Sequence, residues 1–196
     1  MCNSNYLYLA IRAALDAGKA IMDIYNDPNA DFGVEQKADN SPLTKADKAA
    51  HCMITHLLSV TPFPVLSEEG ADIPYNERKG WHTFWLVDPL DGTKEFIKRN
   101  GEFTVNIALI ENGVPTAGVI YVPVRKELYF GSFNEGAFKA AGIDYDHQPA
   151  STEIRSKAKR MPVSSLHQGV VVVASRSHMT EDTRMYIDNL RKQGVP

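Results

Sequence analysis

Apolar residues recur at three- and four-residue spacing from Tyr6 to Tyr25, through Leu7, Ala10, Ile11, Ala14, Leu15, Ala17, Ile21 and Ile24. That period lays one apolar stripe along a helix facing a core, and Asp27-Pro28-Asn29 ends it. Residues 32–42 mix glycine, asparagine and charges, the composition of a loop or a loose hairpin. A second helix is predicted over Ala46–Leu58, with Thr44 placed to cap it and Asp47 at its third position, near the positive end of the dipole. Phe63–Ser67 is a short apolar strand. Thr83–Val87 is β-branched, aromatic or aliphatic and reads as a largely buried strand, stopped by Asp88-Pro89 because proline lacks the N–H that continues a ladder. Phe103–Ile110 and Val114–Val122 alternate on either side of Asn112-Gly113, a strong local signal for a hairpin. Glu127–Gly131 and Gly136–Lys139 read as further strands.

Residues 144–165 are polar and read as a loop or linker. Val170–Ala174 is then an unbroken apolar run of the kind buried on both faces of a parallel sheet. A helix follows from about Thr180 to Gln193, with acids in its first turn and Arg191 and Lys192 in its last. Two helices followed by antiparallel strands predict an α+β layered α-β sandwich over residues 1–165. Residues 166–196 read as the first strand and helix of a second, α/β domain. A strand covered on both faces needs neighbours, so the sequence reads as stopping just inside that domain.

Composition narrows the function more than the fold. The 196 residues are 43% hydrophobic and 23% charged with a net charge of −3, a globular balance without the clustered Lys/Arg run that nucleic acid would call for. The two cysteines have no metal spacing and form no disulfide framework, which suits a reducing compartment. Neither a secretory signal nor a membrane-spanning apolar run is legible. Nucleic-acid and transmembrane roles are disfavoured, and the cytoplasm is the expected setting, with the inner membrane face as an alternative.

The candidate chemistry gathers where the Thr83–Val87 strand ends. Asp88 and Asp91 sit three residues apart on one turn, where they can converge on a hard cation such as magnesium. Gly92 can take positive φ. Thr93 can cap the helix that starts at Lys94, whose first N–H groups stabilise an anion. An ordinary Asp-Gly turn with a solvated aspartate and a capping threonine explains the same residues. Glu68-Glu69, at the end of the Phe63–Ser67 strand, read by themselves as solvated acids. Helix capping alone would account for Thr44 and Asp47.

The whole hexapeptide Asp88-Pro89-Leu90-Asp91-Gly92-Thr93, placed directly after a strand, is more specific, and it resembles the signature of the inositol monophosphatase superfamily of magnesium-dependent, lithium-sensitive phosphomonoesterases. Its flanks, Lys94-Glu95-Phe96-Ile97 and Asn100 to Leu109, are similar to the bacterial 3′(2′),5′-bisphosphate nucleotidase branch, the CysQ proteins. Val173-Ala174-Ser175-Arg176-Ser177-His178 resembles the same branch. The similarity runs along essentially the whole chain.

The resemblance implies an inositol-monophosphatase-like (sugar phosphatase) fold and removal of the 3′-phosphate from adenosine 3′,5′-bisphosphate, giving AMP. It implies that Glu68, Asp88, the Leu90 carbonyl and Asp91 bind Mg2+, in a site inhibited by Li+. It implies that Thr93, with Asp47 or Glu69, orients the attacking water. Gly92 and Thr93 amides, with Glu68, would hold the phosphate, and Arg176 could meet one on the nucleotide side. A homodimer is one assembly open to such a chain. The family's second-domain Trp-Asp element has no counterpart, since neither Trp81 nor Trp85 precedes an aspartate. Two other readings stand beside this one: the same chemistry on an inositol phosphate, and a catalytically silent fragment acting only in binding or association.

Overall fold

The structure is a computed structural model that describes residues 3–37, 41–147, 149–162, 172–175 and 179–193. By compactness the chain divides into two units, Met1–Pro162 and Val163–Pro196. The first holds helices α1 (Asn3–Asn26) and α2 (Lys45–Leu58), a small hairpin of β1 (Glu35–Gln36) and β2 (Pro42–Leu43), and strand β3 (Val65–Ser67). It continues through helix α3 (Tyr75–Arg78), strand β4 (Thr83–Asp91), helix α4 (Thr93–Ile97), and strands β5 (Thr104–Glu111), β6 (Val114–Val122), β7 (Glu127–Ser132) and β8 (Gly136–Ala141). Helix α5 (Ser151–Lys157) and strand β9 (Ala158–Arg160) complete it.

Strands β3 to β9 form one seven-stranded sheet in sequence order. Every pairing is antiparallel except β3 with β4, which run parallel with Ser67 opposite Val87. The long helices α1 and α2 pack on one face. The α1 stripe of Leu7, Ala10, Ile11, Ala14, Leu15, Ala17 and Ile21 is buried there against Val105, Ile107, Leu109, Val119 and Tyr121 of the sheet. Alternate residues of β5 and β6 point into this layer, as the period of two requires. The α+β layered architecture predicted from sequence is the one observed. The Asn112-Gly113 turn closes the β5–β6 hairpin with both residues at positive φ, 52° and 77°, the pair of values a type I′ connection demands.

Several expectations change. β4 does not stop at Asp88 but runs on through Pro89 to Asp91, with the register against β5 shifting between Asp88 and Asp91. An irregularity of this kind accommodates a residue without an N–H. Within the largely buried Thr83–Val87 segment, Trp85 and Val87 are buried while Leu86 is 45% exposed. Residues 71–80 contain the short helix α3. Residues 144–165 are not a plain linker. Within them α5 buries Ile154 against the core, and β9 adds the last strand to the sheet by pairing with β8. The Lys159 and Arg160 charges that suggest a loop are those of an edge strand, where they discourage pairing with another chain.

In the second unit, helix α6 (Glu181–Lys192) forms where it is predicted. It is capped by Thr180, whose side chain accepts the Thr183 N–H at 3.2 Å. Of the Val170–Ala174 run, Val170 and Val171 lie outside the described residues. Val172 to Ser175 form no strand, and Val173 is fully exposed, so the described part is not a buried parallel strand. No helix among the described residues is long and apolar enough to cross a membrane.

Candidate active site

Parallel pairing of β3 and β4 brings the C-terminal ends of two strands to the same place. The Glu68 N–H donates to the Val87 carbonyl at 3.0 Å, so Glu68 emerges directly beside Asp88. Across the antiparallel partner, Asp88 lies opposite Asn106 of β5, and Asp91 opposite Thr104. Asn106 Nδ2 donates to Asp91 Oδ2 at 3.2 Å, and the Thr104 hydroxyl donates to Asn106 Oδ1 at 3.0 Å. Below these groups an apolar trough of about 830 Å3 runs along the sheet, lined by Leu66, Leu86, Ile107, Ile120 and Phe138, with Glu68, Asp88 and Asn106 forming its polar end.

Gly92, at φ 98°, turns the chain out of β4. A Cβ there would lie 2.8 Å from the Glu102 carbonyl oxygen and 3.2 Å from Phe103 Cα, both backbone atoms that cannot swing away. The residue is therefore held to glycine twice, by φ and by space. It is Gly92, and not Thr93, that occupies the N-cap position of α4; Thr93 is the first helical residue and makes no cap hydrogen bond. Its hydroxyl turns inward instead, donating to Asp47 Oδ1 at 3.1 Å and lying 3.3 Å from the Leu90 carbonyl.

Asp47 is fully buried at the start of α2. It completes a reciprocal capping box with Thr44: Asp47 Oδ2 accepts the Thr44 N–H at 2.7 Å and the Thr44 hydroxyl, while Thr44 Oγ1 accepts the Ala46 and Asp47 N–H groups. Capping and the link to Thr93 coexist on one carboxylate, because its two oxygens face opposite ways.

The carboxylates here repel one another. Asp88 is pushed up to about 7, first by burial and then by the neighbouring Glu68 and Asp91 charges. Glu69, whose side chain is only 8% exposed, is also pushed up, by burial above all, even though it binds Lys37. Lys37 Nζ donates to Glu69 Oε1 at 2.5 Å and to Glu68 Oε1 at 2.9 Å. Burial opposes charge on Lys37, yet these two acceptors hold it above its ordinary range. Both groups are pushed up, which favours the charged lysine but the neutral glutamate; the short, doubly accepted contact favours an ionised pair, since an ammonium bonded to two carboxylates loses more by neutralising than it gains.

Glu68, Asp88 and Asp91 bring carboxylate oxygens together at this end of the sheet, beside the Leu90 carbonyl. That is the donor set of a hard divalent cation. Among the described residues no three His, Cys, Asp or Glu side chains already stand in metal-holding geometry. They are turned to protein partners: Asp88 Oδ1 to the Leu90 N–H at 3.2 Å, Asp91 to Asn106, and Glu68 to Lys37.

Of the residues singled out from sequence, the fold gathers Asp47, Glu68, Glu69, Asp88, Leu90, Asp91, Gly92 and Thr93 around one end of the sheet, while Arg176 and His178 lie outside the described residues. Three neighbours escaped that reading. Asn106 is found by counting the hairpin register back from the turn. His51 shows no ligand spacing, but its Nδ1 lies 2.8 Å from Ser67 Oγ at the end of β3, and burial lowers its basicity. Lys37 carries no local signal at all.

The chain is 45% identical over 180 residues to the 3′(2′),5′-bisphosphate nucleotidase CysQ of Escherichia coli (strain K12), an alignment covering 90% of this chain and 66% of that protein. It is 42% identical over 182 residues to the CysQ of Buchnera aphidicola, covering 91% and 62%. The chain thus spans about two thirds of the length of these curated relatives. The crystal structure of CysQ from Bacteroides thetaiotaomicron superposes with a TM-score of 0.84 at 53% identity, over 96% of this chain and 69% of that one. An inositol monophosphatase from Anabaena superposes less closely, with a TM-score of 0.56 at 29% identity over 69% of this chain and 47% of that one. Residues 3–193 match the inositol monophosphatase family along nearly their full length, and this chain belongs to that family.

Proposed function

We propose that this chain carries the metal- and phosphate-binding part of a magnesium-dependent phosphomonoesterase that removes the 3′-phosphate of adenosine 3′,5′-bisphosphate to give AMP. The observation that carries the reading is the Thr93–Asp47 hydrogen bond beside the oxygen-donor end of the sheet. The nucleotidase names of the relatives favour the nucleotide over an inositol phosphate.

Glu68, Asp88, Asp91 and the Leu90 carbonyl would hold the cation. Bound there, magnesium supplies Lewis acidity and positive charge for a phosphate anion. The remaining work falls to the chain itself. With its own proton committed to Asp47, the Thr93 oxygen is left as an acceptor for a proton of the attacking water. Asp47, anchored by Thr44, holds that acceptor in one orientation. Glu69, beside Glu68 at the end of β3, would orient the same water. The Gly92 and Thr93 backbone amides, at the head of α4, would hold the phosphate. No covalent intermediate on the protein is required, which suits a site without a free nucleophilic side chain in these roles.

The test is phosphate release from adenosine 3′,5′-bisphosphate and from inositol 1-phosphate, with and without magnesium and lithium. Magnesium-dependent, lithium-suppressed release from the nucleotide is expected. Faster release from inositol 1-phosphate would overturn the substrate, and release indifferent to magnesium would overturn the mechanism.

A further inference from the structure

Lys37 lies immediately after β1, in the small hairpin that also includes β2, and its N–H donates to the Ser41 carbonyl at 2.9 Å. The hairpin is tied to α2 by Lys48, whose Nζ reaches Glu35 at 2.7 and 2.9 Å. From this support Lys37 reaches across to the end of β3 and places its ammonium on both Glu68 and Glu69. Its side chain is only 21% exposed and that of Glu69 is 8% exposed, whereas the other lysine–carboxylate pairs of this hairpin region, Lys45–Asp31 and Lys48–Glu35, lie out in solvent. A surface ion pair of the latter sort contributes little. A sheltered ammonium bridging two carboxylates does something else: it supplies the positive charge that this cluster of acids lacks.

We propose that Lys37 is a resident counter-cation, which holds Glu68 and Glu69 in the metal-free protein and must be displaced when a divalent cation takes Glu68. The proposal rests on the metal reading above. An ammonium on Glu68 Oε1 competes with a dication brought to the same carboxylate, because the two positive charges repel one another across a few ångströms. Cation binding is therefore coupled to release of Lys37 and, through it, to the position of the β1–β2 hairpin beside the site. The exchange lowers the affinity for the metal and makes the hairpin responsive to whether the site is filled.

The experiment is magnesium titration of the full chain by calorimetry, for the wild type, Lys37→Met and Lys37→Arg, alongside thermal melting with EDTA and with saturating magnesium. Lys37→Met is expected to bind magnesium about five- to ten-fold more tightly, as removal of one partly screened competing charge implies. It is also expected to melt lower than wild type in EDTA but at the same temperature in magnesium. Lys37→Arg, which keeps the charge, should stay near wild type. Equal or weaker magnesium binding by Lys37→Met would overturn the proposal while leaving the metal site standing. Absence of magnesium binding by all three proteins would overturn the metal reading, and this proposal with it.

Discussion

The Thr93 hydroxyl donates to Asp47 Oδ1 across 3.1 Å, joining the first residue of α4 to the capping box of a helix 46 residues earlier in the chain. One buried carboxylate thereby serves two ends: Oδ2 fixes the start of α2, and Oδ1 fixes the threonine of the signature turn. Fold stability and site geometry share an atom group, so their mutational effects separate only if each side of the bond is changed in turn.

Thr93→Val removes the hydroxyl but keeps the shape. It is expected to lower turnover by about 100-fold, the range for a group that positions a proton transfer, while the stability loss stays near 1 kcal/mol, the value of one hydrogen bond. Asp47→Ala is expected to lose both, costing about 2–4 kcal/mol because it strands the buried Thr44 donors and opens a small cavity. Urea unfolding beside steady-state kinetics distinguishes them. Equal stability losses in the two variants would mean that Asp47 is not shared in this way.

Asp91 is exposed and accepts a hydrogen bond from Asn106 Nδ2. Asp91→Asn should therefore leave stability within about 0.5 kcal/mol of wild type while abolishing magnesium-dependent phosphate release. Near-normal turnover would remove Asp91 from the metal site.

Asp88 titrates near 7 in the folded chain against an ordinary 3.8. Between these values the folded protein holds a proton that the unfolded chain has released, so the contribution of Asp88 to stability falls as pH rises through that window. Metal-free protein is expected to lose about 1–2 kcal/mol from this group between pH 5 and 8, discounted for solvent screening. Asp88→Asn should remove that part of the slope, and saturating magnesium should suppress it by stabilising the anion. Urea titrations in EDTA at both pH values read the difference; a wild-type slope unchanged by Asp88→Asn would show that the proton resides elsewhere.

Gly92→Ala would put a Cβ against the Glu102 and Phe103 backbone at a φ of 98°. A destabilisation of more than about 2 kcal/mol is expected from strain and overlap together. Gly113→Ala is the control, since it has positive φ but open space around it, and should cost about 1 kcal/mol. Comparable melting temperatures for the two variants would mean that the backbone near Phe103 yields readily.

Much of this was legible in the chain. The α1 stripe, the Thr44 cap, the Asn112-Gly113 hairpin and the left-handed Gly92 are local: each follows from a period of 3.6 or 2, or from one residue's allowed φ. The hexapeptide carried the family because six residues in a set structural context recur rarely by chance. Where reading failed, the cause was an effect of neighbours. Pro89 stays in β4 because the sheet absorbs it at a register shift, and Ala158–Arg160 forms a strand because β8 offers it an edge. Thr93 turns from cap to inward donor because a buried carboxylate lies within reach.

The sequence by itself determined which residues carry oxygen chemistry and which short elements present them, since propensity, capping and turn geometry act over a few residues. Only the tertiary structure decided which of those residues meet. Parallel pairing of β3 with β4 set Glu68 beside Asp88, packing of α2 under the sheet brought Asp47 to Thr93, and the folded hairpin delivered Lys37 to Glu68 and Glu69. Such pairings depend on sheet order and helix packing over tens of residues, where no local period carries information.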